Sequence, residues 1–207
     1  MVKTSPNFFE ENYYWQNNIF HVLGLDEVGR GAFAGPIVAA GVIFKPNFSA
    51  DFLSKINDSK LIKSNLREEL SVLIKENSLW SIQSVELDFI NIYGIGKANI
   101  EVFKKVVADL KSKIDDNKHF ILADGFNFDI PNSKAITKGD QKSLSIASAS
   151  IIAKVFRDNL MREAGKTYER YGFDKNMGYG TLFHREAIKK HGLCEMHRKS
   201  FDLSKFQ

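Results

Sequence analysis

The apolar positions of the chain change period several times, and each change marks an element. Residues 22–25 and 37–44 are continuous runs rich in Val, Ile and Ala, bounded by Gly and Pro, which is the pattern of buried strands. A glycine-rich turn lies between them. From Ser64 onward Leu66, Leu70, Leu73 and Ile74 recur at helical spacing, with Ser64 as the N-cap and Glu68 and Glu69 near the positive end. Residues 80–85 alternate as a strand does. Ile92, Ile95, Ile100, Phe103, Val106, Val107 and Leu110 return to three- and four-residue intervals, and 119–123 is a short apolar run that stops at Asp124. The longest periodic segment runs from about 142 to near 170. It mixes Ser143, Ala147, Ser148, Ala149, Ser150 and Ala153 with larger apolar residues, and small side chains of this kind let a helix lie close to its neighbour. Strands followed by alternating helices predict an α/β fold with a mixed central sheet flanked by helices.

Composition narrows the class. With 207 residues, 43% of them hydrophobic, the chain can bury a core without staples, and no repeat or linker divides it, so one domain over 1–207 is expected. Seventeen Phe against four Pro exclude a disordered chain. Cys194, the single cysteine, cannot form an internal disulfide, and residues 1–18 lack the apolar core of a secretion signal, which together predict a cytoplasmic location. No run approaches the roughly 18 apolar residues of a membrane span. The net charge of +4 permits a polyanionic partner without establishing one.

The chemistry is concentrated in residues 24–36, where Asp26 and Glu27 end an apolar strand and Gly29, Arg30 and Gly31 follow. Two carboxylates seldom end a buried strand for packing reasons. Adjacent strand residues point to opposite faces, so the two acids share a site only if the strand bends or ends there. A solvated strand end with a tight turn is the simplest alternative. A dinucleotide-binding loop is another, but Gly35 falls one residue late and Pro36 leads into a strand where that loop needs a helix. The Gly-Arg-Gly turn is better suited to bringing backbone N–H groups and one guanidinium to a phosphate or sugar. Asp124 and Asp140 also stand at element ends, where a turn former and a helix N-cap are their ordinary roles. With Asp26 and Glu27 they make four carboxylates of the kind that hold hard divalent cations with positions left open for water and phosphate. His184, His191, Cys194 and His197 lack the second ligand pair of a zinc site.

At these residues the sequence resembles the bacterial ribonuclease HII family. The matching blocks are 24–31 with 34–36, 57–60, Asp124 with Gly125, 138–143, 146–154, Arg157 with Asp158, 171–173, 178–181, His184 and 197–201, in order along nearly the whole chain. The resemblance implies a ribonuclease H-like fold with a helical C-terminal region, in which Asp26, Glu27, Asp124 and Asp140 are both the catalytic and the metal-binding acids. Asp158 is not one of them and is expected to cap locally or to pair with Arg157 or Arg162. Gly29, Arg30 and Gly31 would contact the ribonucleotide and its 2′-hydroxyl, and Tyr179 would pack at the RNA–DNA junction, with Gly178 and Gly180 favouring its exposure. Lys60, Lys142, Ser143 and Lys154 are candidate phosphate contacts.

The implied reaction is hydrolysis with two Mg²⁺ or Mn²⁺ ions about 4 Å apart. It would cut RNA–DNA hybrids, or nick 5′ of a single ribonucleotide in duplex DNA, leaving 3′-hydroxyl and 5′-phosphate ends, and would serve ribonucleotide and RNA primer removal. The expected partner is that nucleic acid, bound by a monomer, with a sliding-clamp interaction left open. The tail 201–207 carries no clear sliding-clamp peptide, and too few residues precede Asp26 for the extra N-terminal substrate-binding domain of the sister type, ribonuclease HIII. Two other classes compete: a nucleic-acid-binding module that does not cut, and a nicotinamide-dependent oxidoreductase.

Overall fold

In the computed structural model, which describes residues 5–114, 118–125 and 130–206, the chain enters through helix α1 (Phe9–Trp15). It then lays down strands β1 (His21–Val28) and β2 (Ile37–Ile43), helix α2 (Ser64–Glu76), strand β3 (Leu79–Val85) and helix α3 (Leu87–Lys111). Strands β4 (His119–Asp124) and β5 (Ser133–Ile136) precede the long helix α4 (Leu144–Thr167), and two shorter helices, α5 (Phe173–Asn176) and α6 (Leu182–His191), form the helical C-terminal region. The sheet order is β3-β2-β1-β4-β5. The pairs β3/β2 and β2/β1 are antiparallel, whereas β1/β4 and β4/β5 are parallel, so the sheet is mixed as expected.

Strand pleat sorts the side chains of β1 and β2 into two cores. Leu23, Leu25, Ile37 and Ala39 face α3 and meet Val102, Phe103 and Val106. On the other face Val38, Ala40 and Val42 pack with Ala147, Ile151 and Ile152 of α4 and Leu70 of α2. Gly24 is what lets α4 lie across β1, because a Cβ there would fall on the backbone of Ser145 and Ile146. The small residues foreseen in this helix therefore meet a strand that has itself given up a side chain.

Several boundaries differ from the sequence expectation. Strand β1 continues to Val28, three residues past its apolar run, with Asp26 and Glu27 at its end as expected. Helix α4 begins at Leu144 and ends at Thr167, where a 3-10 turn (Glu169–Tyr171) takes over. Ser64 is not an N-cap: Lys63 occupies that position with extended backbone, and the Ser64 hydroxyl donates to Glu68. Helix α3 starts earlier than its apolar pattern and breaks at Gly94, whose φ is 80°. Helix α1 and strand β5 were not foreseen. Among the described residues no helix is long and apolar enough to cross a membrane.

Candidate active site

The parallel register pairs Leu25 with Ala123, which brings Asp26 and Asp124 side by side at the ends of β1 and β4. Beyond them opens a cavity of 430 Å³ lined by Asp26, Glu27 and Asp124, with Lys60, Lys154 and Tyr179 completing its wall. Roomier cavities of 560 and 580 Å³ lie elsewhere, one walled mainly by Phe20, Phe44, Phe48 and Leu79, the other by α1 side chains beside the Glu10–Lys134 ion pair. Neither gathers several like-charged groups. Chemistry rather than volume marks the smaller one.

The acids are held by their own strand ends and by α4. The Glu27 amide donates to Asp26 Oδ1 at 2.8 Å, and the Gly139 amide donates to Asp124 Oδ1 at 2.6 Å. That second bond ties Asp124 to the 3-10 turn (Gly139–Gln141) carrying Asp140. Burial, then the charges of Glu27 and Asp124, pushes the Asp26 carboxyl well above the usual range, against the opposing hydrogen bond from Ser150. Burial and Asp124 likewise push Glu27 up to about 7, although Arg30 pulls the other way. Asp140 is raised by burial and by Asp124 and Asp58. Asp26, Glu27 and Asp140 are thus each raised by burial and by a neighbouring carboxylate, the condition that a bound cation relieves.

Asp140 stands beside Asp124 but does not line the cavity. Its ordinary alternative, an N-cap of the long helix, is taken by Ser143, whose hydroxyl accepts from the Ile146 amide at 3.1 Å. This corrects the assignment of Ser143 as a phosphate contact. The side chain is fully buried and donates to Glu11 Oε1 at 2.6 Å, so its donor and acceptor are both engaged away from any ligand. Lys142 is exposed and outside the cavity wall. Lys60 and Lys154 do reach the cavity. Asp158 is a further correction. It pairs with Lys154 at 2.6 Å and Arg67 at 3.5 Å, not with Arg157 or Arg162, because one turn of helix separates it from Lys154 on the same stripe.

Ser59 and Ser150 fall within the matching sequence blocks but have no role assigned there. Their hydroxyls meet at 2.9 Å and fix the loop bearing Lys60 to α4, while Arg67 donates to the Ser59 carbonyl at 2.8 Å. The one available hint was spacing, since Ser150, Lys154 and Asp158 recur every four residues.

The turn after β1 and the Tyr179 loop are one unit. The Phe33 and Ala34 amides donate to the Gly178 carbonyl at 2.8 and 3.2 Å. Gly29, at φ 88°, leaves room for the Arg157 guanidinium, whereas a Cβ on Gly31 would meet open space. Gly178 and Gly180 admit Ala34 and Phe33, so these glycines serve loop-to-loop packing more than exposure; Tyr179 is half-buried.

His184 and His197 bond to each other through their Nε2 atoms at 3.0 Å, which uses the atoms a metal would need. The Cys194 amide donates to His197 Nδ1, and the Tyr179 carbonyl stands 2.9 Å from His184 Nδ1. One assignment satisfies these three contacts: His197 donates from Nε2, His184 donates from Nδ1, and both rings are neutral. Burial and the neighbouring His184 push His197 down to about 4, and burial lowers His184 too. A histidine whose folded pKa is depressed binds its proton more readily when unfolded. The stabilisation is therefore complete above the ordinary value of about 6.5 and is lost as pH falls toward 4. The raised carboxylates act in the opposite sense and are common to both proteins, so the test is a difference: in denaturant titrations the stability advantage of wild type over His197→Gln should shrink by on the order of 2 kcal/mol as pH falls from 6.5 to 4.

Carboxylates are the right donors for hard divalent ions. Ions such as Mg²⁺ or Mn²⁺ take one or two carboxylates with water and phosphate as the remaining ligands, and Asp26 and Asp124 line the same cavity. The chain is similar to known proteins over most of its length. The chain is 49% identical over 185 residues to the Ribonuclease HII of Clostridium perfringens (strain 13 / Type A), a match covering 87% of this chain and 66% of that protein; the chain thus spans about two thirds of its relative's length. Two solved structures share the fold. The ribonuclease HII of the PCNA complex from Archaeoglobus fulgidus has a TM-score of 0.72 at 24% identity, over 88% of this chain and 95% of that one. Bst-RNase HIII in complex with Mn²⁺ has a TM-score of 0.72 at 18% identity, over 91% and 69%. The family model described as Ribonuclease HII matches residues 23–204, from the strand that carries Asp26 to the tail beyond Arg198, and the chain belongs to that family.

Proposed function

We propose that the protein is a metal-dependent endonuclease that hydrolyses RNA within RNA–DNA hybrids and nicks 5′ of single ribonucleotides in duplex DNA. The reading rests on one observation: carboxylates from the ends of two parallel strands line a single cavity together with Lys60, Lys154 and Tyr179. Asp26, Glu27, Asp124 and Asp140 would hold two divalent ions, either Mg²⁺ or Mn²⁺. When bound, such ions lower the pKa of water and stabilise charge on the leaving oxygen.

The chain's own residues supply the rest. Lys60 and Lys154 would bring phosphate oxygens to the acids, and Ser150 keeps Asp26 oriented. The Gly29, Arg30 and Gly31 turn would meet the 2′-hydroxyl, the one local feature that marks a ribonucleotide in DNA. Tyr179 would pack on the adjoining deoxyribose. The products would carry 3′-hydroxyl and 5′-phosphate ends, which suits ribonucleotide and primer removal.

The test is an end-labelled DNA duplex containing one ribonucleotide, incubated with and without Mn²⁺ or Mg²⁺ and mapped at nucleotide resolution. A metal-dependent nick on the 5′ side of the ribonucleotide is expected. Cleavage of continuous hybrids alone would remove the reading of the ribose, and binding without cleavage would leave a nucleic-acid-binding module.

A further inference from the structure

Behind the turn at Gly29, Arg30 and Gly31 lie two guanidinium groups, Arg157 and Arg198, both with 0% exposure. Among the described residues neither forms an ion pair. Arg157 donates to the carbonyls of Pro36, Met177 and Ala34 at 3.0, 2.8 and 3.0 Å. Arg198 donates to those of Gly35 and Arg30, both at 2.9 Å, and its Nη2 is buried with no partner. Four of these five carbonyls belong to the loop between β1 and β2, and the fifth lies two residues before Tyr179.

Taking a charge out of water without a counter-charge costs several kcal/mol. An apolar side chain would fill the same volume without that cost, so packing does not account for the pair. What a guanidinium alone provides is a rigid planar fork that fixes several carbonyls at once. The loop's other hydrogen bonds to neighbouring segments hold its residues 33–35, and among the described bonds Arg198 is the one that reaches the Arg30 carbonyl. Its amides reach Gly178 and Met196, the Arg198 amide donates to Phe33, and Ala34 bridges to His197. Arg198 thus joins the C-terminal segment to the backbone of Arg30 itself, while Arg157 spans to the Tyr179 side and lies 5.6 Å from its ring centre.

We propose that Arg198 is a positioning residue for ribose recognition. By fixing the Arg30 carbonyl it sets the turn against Tyr179, and thereby the preference for a lone ribonucleotide over a continuous hybrid. Arg198 has this role only if the chain cuts at ribonucleotides, as proposed above. A continuous hybrid offers a 2′-hydroxyl at every register, so a loosened turn still finds one. A single ribonucleotide offers one register, and a displaced turn misses it.

Arg198→Lys keeps the charge and removes the fork. Its kcat and KM should be measured on a single-ribonucleotide duplex and on a continuous hybrid, with the fold checked by circular dichroism. The expected result is a loss of about 10²-fold in kcat/KM on the single ribonucleotide, the cost of a misplacement near 1 Å, with hybrid cleavage close to wild type. Equal losses on both substrates, or none on either, would overturn the role while leaving the nuclease in place. A wild-type protein that cuts neither substrate would overturn the nuclease and the role together. If the lysine variant does not fold, the wild type labelled with ¹⁵N-arginine gives a second readout without metal. The Arg198 Nε–H resonance should move on adding the single-ribonucleotide duplex and stay in place with all-DNA duplex; the same response to both would overturn the proposal.

Discussion

Replacing Asp26 by Asn is expected to abolish cleavage and to make the metal-free protein more resistant to heat. Asp26 is 7% exposed, and burial together with the charges of Glu27 and Asp124 works against its ionised form. The amide still accepts the hydrogen bond from the Glu27 backbone, faces Ser150, and brings no charge into the crowd. Activity should fall on the order of 10³-fold or more, beyond the 10–100-fold typical of changes behind a metal's own ligands. Asp124→Asn should fall as far, since its carboxylate faces the same cavity. Thermal melts with and without Mn²⁺ separate the two effects. The wild type should gain stability on adding metal because the ion binds only the folded chain, and the Asn variants should gain much less. Retained cleavage in either purified variant would remove that residue from the site.

Gly24→Ala is expected to give the largest structural effect of a single methyl group. The added Cβ would overlap the Ser145 and Ile146 backbone, which cannot swing aside as a side chain can. Relief requires α4 to lift from β1, and overpacking of this kind costs about 3 kcal/mol. For a protein of this size that lowers Tm by roughly 6–12 °C. Because α4 carries Ser150 and Lys154, cleavage should fall as well, in the fraction of protein that remains folded at the assay temperature. A Tm within about 2 °C of wild type in a calorimetric scan would mean that the helix is not seated on the strand as described.

The sheet and its acids were readable in the sequence because they share a cause. Buried strands give unbroken apolar runs, and Asp26, Glu27 and Asp124 stand out as charges at the ends of such runs. Helix α1 was hidden because its buried face holds Glu11 beside Tyr14 and Trp15, so apolar periodicity undercounts it. Strand β5 lies at the sheet edge and fully buries only Ile136 of its four residues, too little to alternate visibly. Ser143 was misread because a small hydroxyl after Gly-Asp looks the same whether it caps a helix or meets a phosphate. Arg157 and Arg198 were illegible for a different reason: arginine is ordinarily exposed, and only the assembled loops show why two of them are inside.

The bond between Glu11 and Ser143 spans 132 residues, and the Ser145 amide donates to the same Glu11 oxygen at 2.9 Å. The backbones of Asn7, Lys142 and Leu144 close the same junction, with Asn7 donating to the Lys142 carbonyl and Leu144 donating to that of Asn7. A chain emerging from the ribosome therefore makes Glu11 first and must carry it without its partners until the start of α4 has appeared. Contacts so distant along the chain form late and slowly, because loop closure has to precede their reward. The turn bearing Asp140 is adjacent to that junction, so the fourth acid would take its place only near the end of folding. Half-made chains, with β1 already synthesised, would then not yet hold a complete nuclease site.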